Sequence, residues 1–521
     1  MVTSTRGSSR PPATGAARGG TGRCGATVRL APVSAPSSRS PGASSQSPAP
    51  GLGAAQRRLI AELLRVAPVA DELGRRFADA GHALALVGGS VRDALLGRLG
   101  QDLDFATDAR PEAVLALVKG WADAWWEVGI AFGTVGARKG DVVVEVTTYR
   151  DEVYRSDSRK PEVSYGRSLD EDLRRRDLTV NAMAVTVPGK EFVDPFGGLA
   201  DLAAGLLRTP GRPEDSFDDD PLRMLRVARF AAQLGFAVDP AVEAAMTAMA
   251  ERIDIVSAER VRDELAKLVC APQPRAGLAL LVRTGLAERV LPELPRLALE
   301  IDEHHRHKDV YEHTLTVLEQ AMALEPDGPD LVLRLAALMH DVGKPKTRRF
   351  EKGGGVSFHH HEVVGAKLTR KRLQELRFPK DVVDDVARLV ELHLRFHGYG
   401  SGAWTDSAVR RYVADAGPLL DRLHLLTRSD CTTRNRRKAE ALRRTYDDLE
   451  TRIARLREQE QLDAIRPDLD GNAIMEILGV PPGPVVGRAW AHLKELRLDR
   501  GPMSPDEAEA ELRAWWAGQQ G

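Results

Sequence analysis

Asp102 and Asp104 stand one residue apart, just downstream of Gly88-Gly89-Ser90-Val91-Arg92-Asp93. On a strand, alternate residues share a face, so both carboxylates converge while Leu103 and Phe105 turn to the core. Convergent carboxylates facing a phosphate cradle suit paired Mg²⁺ ions. The preceding run Leu84-Ala85-Leu86-Val87 is short and apolar and reads as a buried strand. The glycine pair that ends it lets backbone N–H groups approach a phosphate closely. A helix is expected from Ser90 to about Leu96, and its N-terminus favours anions. Either half alone would be ordinary turn chemistry; in this order the two favour phosphoryl or nucleotidyl transfer.

Two arginine-rich runs extend this chemistry. Arg174, Arg175 and Arg176 precede the β-branched run that includes Thr179 and Val180, a cationic cluster able to neutralise a triphosphate. Asp218-Asp219-Asp220-Pro221-Leu222-Arg223 opens a helix, with proline in its first turn and acids at its N-terminus. Arg223, Arg226 and Arg229 repeat every third residue and form one stripe, beside an apolar stripe of Leu222, Leu225 and Ala228. An acid next to an arginine on a rigid helix can read the Watson–Crick edge of a base. For cytosine, arginine donates to O2 and N3 and the acid accepts from the amine. For adenine, arginine donates to N1. Guanine and uracil present the wrong pattern, by the same logic that governs bidentate base reading.

A second constellation holds His313, His340-Asp341, His361, His393 and Asp430. Leu331–Met339 is strongly apolar and reads as a buried helix, ended by Gly343 and Pro345. A His-Asp pair there must be paired or ligated, and imidazole with carboxylate suits a divalent transition metal. Among neighbouring histidines, His361 is preferred to His359 and His360, and His393 to His397. His304, His305 and His307 read as surface residues. The competing reading is a packing domain with hydrogen-bonded histidines.

The elements that must position these groups follow from the pattern. The 521 residues carry 74 Lys plus Arg against 75 Asp plus Glu, a net charge of −1, so any basic surface is local. Cys24, Cys270 and Cys431 have no paired spacing, which argues against a disulfide framework or zinc site and fits a reducing, cytoplasmic setting. No apolar run reaches membrane-spanning length. Residues 1–52 are rich in Ser, Gly, Pro, Ala and Arg and lack acids, a composition expected to be a disordered basic extension. It has the composition of a transit peptide but no secretory apolar core. A helix is expected over 54–80, strands at 142–146 and after Gly129–Phe132, a mobile loop between Asp151 and Asp172, and helices from Leu199 onward, broken near 210–213, 292–295 and 326–329. The architecture is α+β: a small mixed head on a long helical body.

Gly88-Gly89-Ser90-Val91-Arg92-Asp93, Asp102-x-Asp104, Arg175-Arg176-Asp177 and Asp219-Asp220-x-x-Arg223 resemble, in order, the motifs of the class II CCA-adding tRNA nucleotidyltransferase and bacterial poly(A) polymerase family. The resemblance implies a DNA polymerase β-type head followed by an elongated all-helical body. It implies that Asp102 and Asp104 hold two Mg²⁺ ions, that Gly89 and Arg92 contact the triphosphate, and that Arg175 or Arg176 contacts the nucleotide. Asp220 and Arg223 would then be the protein template for CTP and ATP, with Arg226 and Arg229 completing the pocket. Asp219 departs from the family's usual Glu but keeps the charge, and Glu145 is a candidate third carboxylate. The Gly129–Val135 run looks like the CCA-adding pattern rather than the Gly-Arg-Arg-Phe-like run of poly(A) polymerases. CCA addition to tRNA is therefore favoured, by in-line attack of the tRNA 3′-hydroxyl on the α-phosphate, with the loop around 156–167 as the element for the C-to-A switch.

His340-Asp341 resembles the defining pair of the HD phosphohydrolase superfamily, over about 305–435. That implies a metal site and a possible hydrolase acting on a damaged tRNA 3′ phosphate or cyclic phosphate. Arg434, Arg436, Arg437 and Lys438 form a local basic patch, open to RNA contact or to solvation alone. Val480–Gly487 opens an amphipathic helix, and by resemblance this tail grips the acceptor and TΨC arms of tRNA. The expected divisions are 1–52, 53–200 for the head, 201–295 for the base-reading neck, 296–440 for the HD domain and 441–521 for the tail. Poly(A) polymerase, and a hydrolase with an inert head, remain the alternatives.

Overall fold

The computed structural model describes residues 52–127, 133–153, 162–166, 168–298, 309–352, 356–399, 404–432, 435–460 and 467–520. The expected N-terminal extension, the Gly129–Phe132 run, His304, His305, His307, Arg434 and most of the 156–167 loop lie outside them. No helix among the described residues is long and apolar enough to cross a membrane.

The head is built on nine strands: β1 (Leu84–Val87), β2 (Asp102–Thr107), β3 (Ala124–Trp126), β4 (Thr134–Lys139), β5 (Val142–Thr148), β6 (Arg150–Val153), β7 (Glu162–Tyr165), β8 (Ala184–Val187) and β9 (Phe192–Val193). Seven of them form one sheet in the order β3-β4-β5-β2-β1-β8-β9. All four residues of β1 are buried, because it is central and covered on both faces. It pairs antiparallel with β2 and with β8, while β2 runs parallel to β5 and sets Asp104 opposite Glu145. The helix Leu52–Asp79 covers the sheet through the buried Leu73 and Phe77.

The stretch expected as a loop between Asp151 and Asp172 is in part ordered structure. β6 and β7 pair antiparallel, and Leu169–Arg174 is a helix capped by the Ser168 side chain, which accepts from Glu171 N–H. The Ser-x-x-Glu signature of a helix start was present in that stretch but sat among charges that masked it.

From Gly198 onward the chain is helical, apart from the strand pairs β10 (Leu206–Leu207) with β11 (Ala237–Val238) and β12 (Arg349–Phe350) with β13 (Val356–Ser357). The expected breaks are where the chain turns: Pro213 begins a helix, and Asp330 caps Leu331–Met339 by accepting from Val332 and Leu333 N–H. One continuous core runs from Ala70 in the head to Leu456 in the helix Arg436–Glu460. The last three helices, Gly471–Leu478, Pro484–Arg500 and Pro505–Gln520, pack around their own core of Leu469, Ile474, Ala489, Leu493, Ala508 and Leu512.

One buried arginine joins two of these regions. Arg334 lies in the apolar helix Leu331–Met339 and forms an ion pair with Glu325 at 2.7 Å. It also donates to the carbonyls of Val269 and Ala271, at the C-terminal end of the helix Ala258–Val269. Those carbonyls have no partner within their own helix, so a cation there satisfies them and complements the helix dipole.

Candidate active site and candidate metal centre

Alternation along β2 turns Asp102 and Asp104 to the exposed face and buries Leu103 and Phe105. Asp104 N–H donates to Ser90 Oγ at 2.9 Å, which fastens the strand to the helix Gly89–Leu95. Gly88 has φ 67°, and a Cβ there would stand 2.7 Å from Arg176 Nη1, so glycine brings the guanidinium against the turn. Desolvation by the surrounding protein raises the Asp104 pKa, and the charges of Glu145 and Asp102 add to it while Arg176 and Arg92 oppose it. Three carboxylates that repel one another on one face of the sheet are a donor set for hard divalent cations.

The arginines are held by acids. Asp172 is fully buried and takes Arg175 at 2.8 Å and Arg176 at 2.9 Å, one on each oxygen. Burial pushes its carboxyl up, but Arg176 and Arg175 outweigh that and hold it below the ordinary value. Arg92 is buried, donates to Asn181 Oδ1 at 2.6 Å and forks onto Asp93. Asp177 accepts from Asn181, from Leu178 N–H and from Arg226. Burial raises the Asp177 carboxyl, and Arg226 and Asn181 more than reverse this, leaving it at about 2.

The helix Leu222–Leu234 carries the arginine stripe. Glu264, buried on the facing helix Ala258–Val269, pairs with Arg226 at 3.4 Å and Arg229 at 2.9 Å. Between them lies Phe230, with the guanidinium of Arg92 at 5.2 Å, Arg226 at 5.7 Å and Arg229 at 4.2 Å from its ring centroid. Arg223 donates to Ser216 and to the Arg175 carbonyl. Asp220 accepts from Leu222 N–H and from Arg260 Nη2 at 2.7 Å. Thus Asp220 and Arg223 neighbour each other at one helix start, both already engaged by protein partners.

Glu264, Asp172, Phe230 and Arg260 were not singled out from sequence. Glu264 left a signal: it shares one helix face with the apolar Val261, Leu265 and Leu268. An acid on a core-facing stripe must have a partner. Asp172 sits in an acidic run that looks like ordinary surface.

In the helical body the structure brings all six expected residues together. His313 Nε2 lies 3.0 Å from Asp430 Oδ1 and 3.6 Å from Asp341 Oδ2; His340 Nε2 lies 3.2 Å and His361 Nε2 3.3 Å from Asp341. His313, His340 and Asp430 form one possible ligand group, and Asp341, His361 and His393 another. Three imidazoles are aimed in the same way. His340 Nδ1 bonds to Ala337 O, His361 Nδ1 to Phe358 O and His393 Nδ1 to Val390 O, each three residues back. His340 and His393 follow helices directly, where carbonyls lack partners. A carbonyl only accepts, so each Nδ1 carries the proton and each Nε2 faces the cluster.

Those three Nε2 atoms are buried and have no hydrogen-bond partner. Burial pushes His393 down to about 3. At His340 burial also lowers the pKa, but Asp341 and Asp430 overcome it and raise it. Buried lone pairs converging on two carboxylates fit a divalent metal ion. His359 and His360 are exposed.

Comparison with known proteins agrees with this layout. Residues 84–208 match the Poly A polymerase head domain family, 235–297 the probable RNA- and SrmB-binding site of polymerase A, and 310–435 the HD domain family. The chain is 36% identical over 448 residues to the A-adding tRNA nucleotidyltransferase of Deinococcus radiodurans, covering 83% of this chain and 95% of that enzyme. It belongs to the tRNA nucleotidyltransferase family. The CC-adding tRNA nucleotidyltransferase of Thermus thermophilus is 35% identical, over 83% of this chain and 94% of that enzyme. The CCA-adding enzyme of Bacillus subtilis is 44% identical over 41% of this chain and 52% of its own length. Among solved structures, the Bacillus stearothermophilus CCA-adding enzyme in complex with CTP superposes with a TM-score of 0.62 at 26% identity, over 87% of this chain and 98% of that one. Nucleotidyltransferase and HD families are metal-dependent, consistent with both donor sets.

Proposed function

We propose that this member of the family extends the 3′ end of tRNA with C, C and A from CTP and ATP, without a nucleic-acid template. One observation carries the reading: β2 presents Asp102 and Asp104 on one face, with Asp104 opposite Glu145 and fastened to Ser90 beside the Gly88-Gly89 turn. Asp102, Asp104 and Glu145 are the residues to hold two Mg²⁺ ions. When bound, such ions lower the pKa of the attacking 3′-hydroxyl and stabilise the departing pyrophosphate. Gly88 and Gly89 leave room for phosphate oxygens, and Arg176, beside Gly88, supplies positive charge to them. Arg175 shares its Asp172 anchor with Arg176 and so stands with it.

Asp220 and Arg223 read the base. Asp220 accepts from the exocyclic amine of cytosine or adenine, and Arg223 donates to the ring. Arg260 holds Asp220 in the present conformation, so base reading exchanges a cationic guanidinium donor for the neutral amine of the base. Glu264, Asp177 and Phe230 hold Arg226 and Arg229 behind that pair. Arg92, buried against Asn181, positions the turn from within and reaches a triphosphate only by leaving that partner.

The His-Asp cluster holds a divalent transition metal and acts as a phosphohydrolase centre, with a damaged RNA 3′ phosphate or cyclic phosphate as its substrate class. The unpartnered Nε2 atoms support this. The three helices from Gly471 onward, with the exposed Arg436, Arg437 and Lys438, supply grip on the acceptor and TΨC arms. The division into head, neck, HD domain and tail near 200, 295 and 440 accompanies this assignment, as does a cytoplasmic location.

A second reading has its own support. Two relatives that match along nearly their whole length are named for A addition and for CC addition. This chain is then one half of a divided pathway. The deciding experiment offers purified protein three tRNAs: one lacking CCA, one lacking the final A and one complete. Mg²⁺ is present with CTP, ATP or both. Addition of C, C and A that stops at A establishes the first reading; C-only or A-only addition establishes the second; long A tracts overturn both.

A further inference from the structure

The strand pair β12–β13 is rooted at the metal cluster on both sides. On the N-terminal side, Lys344 Nζ lies 2.6 Å from Asp341 Oδ2, and the single helical turn Lys344–Thr347 leads into β12. On the C-terminal side, β13 leads to Phe358, whose carbonyl accepts from His361 Nδ1 at 2.8 Å. Lys344 also sits over the Phe358 ring at 5.7 Å, so the two roots touch. A Cβ on Gly343 would stand 2.1 Å from the His361 carbonyl oxygen, so only glycine lets the roots meet this closely.

What these roots carry is unusual for this chain. Phe350 is 69% exposed, the highest exposure of a large apolar side chain among the described residues. Nothing in the core needs it there. Among the described residues its ring partner is the Arg348 guanidinium, 4.8 Å from the ring centroid. Lys344, Lys346, Arg348, Arg349 and Lys352 place five cations in nine residues of a chain with net charge −1. The only acid in that run, Glu351, accepts from Ser357 Oγ. Among the described residues, Lys346, Arg348, Arg349 and Lys352 form no ion pair. Phe350 stands six positions after Lys344, a reach of at most about 21 Å, which a few nucleotides of single strand can span.

We propose that this hairpin is a base-stacking platform for the single-stranded 3′ end of RNA, delivering its terminal phosphate to the histidine–aspartate cluster. Aromatic faces stack any base, arginine reinforces the stack, and surrounding cations track the backbone. The occupant is RNA because the charge is complementary and because the platform is continuous with a cluster built for phosphate chemistry. Phe350 faces the base, Arg348 extends the stacking surface, and Lys344 stands between platform and metal ligands. The inference rests on the hydrolase reading of the cluster but is tested by binding.

The probe is a short single-stranded RNA with 2-aminopurine as its 3′-terminal nucleotide, titrated with the full chain and Mn²⁺. Stacking quenches the reporter base. Wild-type protein is expected to quench it. Phe350→Ala is expected to lose the quench and bind roughly ten- to hundredfold more weakly, and Phe350→Tyr to retain both. Any complex at the head contributes equally to all three proteins, so the difference isolates the hairpin. Equal quench and affinity in wild type and Phe350→Ala overturns the proposal, as does equal loss in Phe350→Tyr. Turnover of bis(p-nitrophenyl) phosphate, which has no base, judges the cluster separately. Its absence in wild type would remove the hydrolase reading, and the quench comparison would still decide the platform.

Discussion

In the head, Asp102 and Asp104 meet solvent from the face of a strand, whereas in the helical body His340, Asp341 and His393 are almost wholly buried. The strand fixes carboxylate spacing by its two-residue period and leaves both carboxylates open to solvent, as the proposed two-metal site requires. The helical cluster fixes direction instead: three Nδ1–H groups bond carbonyls three residues back and aim Nε2 inward. The head is a half-built site that its substrate completes. The cluster is nearly complete in protein alone. The difference teaches that exposure marks where phosphate must enter, and burial marks where a metal must stay.

Separating the two sites is the strongest break. Asp102→Ala with Asp104→Ala removes the proposed ligands of ions that would provide several kcal/mol of transition-state stabilisation, so nucleotide addition should fall about a thousandfold or more. Metal content at the cluster should be unchanged, as judged by metal analysis of the purified variant. Loss of both would show that the sites are not independent. His340→Ala should do the reverse, emptying the cluster while sparing CTP and ATP incorporation.

Glu264→Leu sharpens the contrast inside the head. Removing one partner of a buried ion pair costs about 3–5 kcal/mol, here leaving Arg226 and Arg229 without their shared anchor. Chemical denaturation should show that loss, and discrimination of CTP and ATP against GTP and UTP should relax. Unaltered selectivity would mean that the arginine stripe is held by Asp177 alone. At the cluster, Thr432 Oγ1 lies 3.1 Å from His313 Nδ1. Thr432→Val should weaken metal affinity about tenfold, the lower end for loss of a ligand's orienting partner; unchanged affinity in a competitive chelator titration would dismiss that role.

A further contrast concerns acid. Asp177 has a folded pKa of about 2, against about 3.9 for a free aspartate. A depressed carboxylate contributes stability that is full above about pH 4 and is lost as pH falls through 2. Acid titration of wild type should show that loss, worth about 2.6 kcal/mol, and Asp177→Asn should lack it. Identical acid limbs would contradict the assignment.

Much of this was legible in the residues. Asp102-Leu103-Asp104-Phe105 alternates polar and apolar, and one strand can satisfy that only by facing both acids outward. The six dispersed histidines and aspartates were legible because each lies on or at the end of a helical segment, and the His340-Asp341 pair ends an apolar helix where an unpaired polar group has no other reason to be. The partners of the arginines were not legible. Asp172 stands beside Asp170 and Glu171 and differs from them only in burial, which the fold decides. Arg260 reaches Asp220 across 40 residues of sequence, a distance that no local pattern encodes. The hairpin of β6 and β7 was hidden because its pairing, rather than any long apolar run, defines it.

The contact that Arg334 makes bears on modularity. Its guanidinium finishes the helix Ala258–Val269, the same helix whose middle carries Glu264. Excising the HD domain would therefore strip two main-chain oxygens of their donor and fray the element that steadies Arg226 and Arg229. The domain therefore has a structural reason to persist that is independent of the hydrolysis proposed for its histidines, and that reason is Arg334.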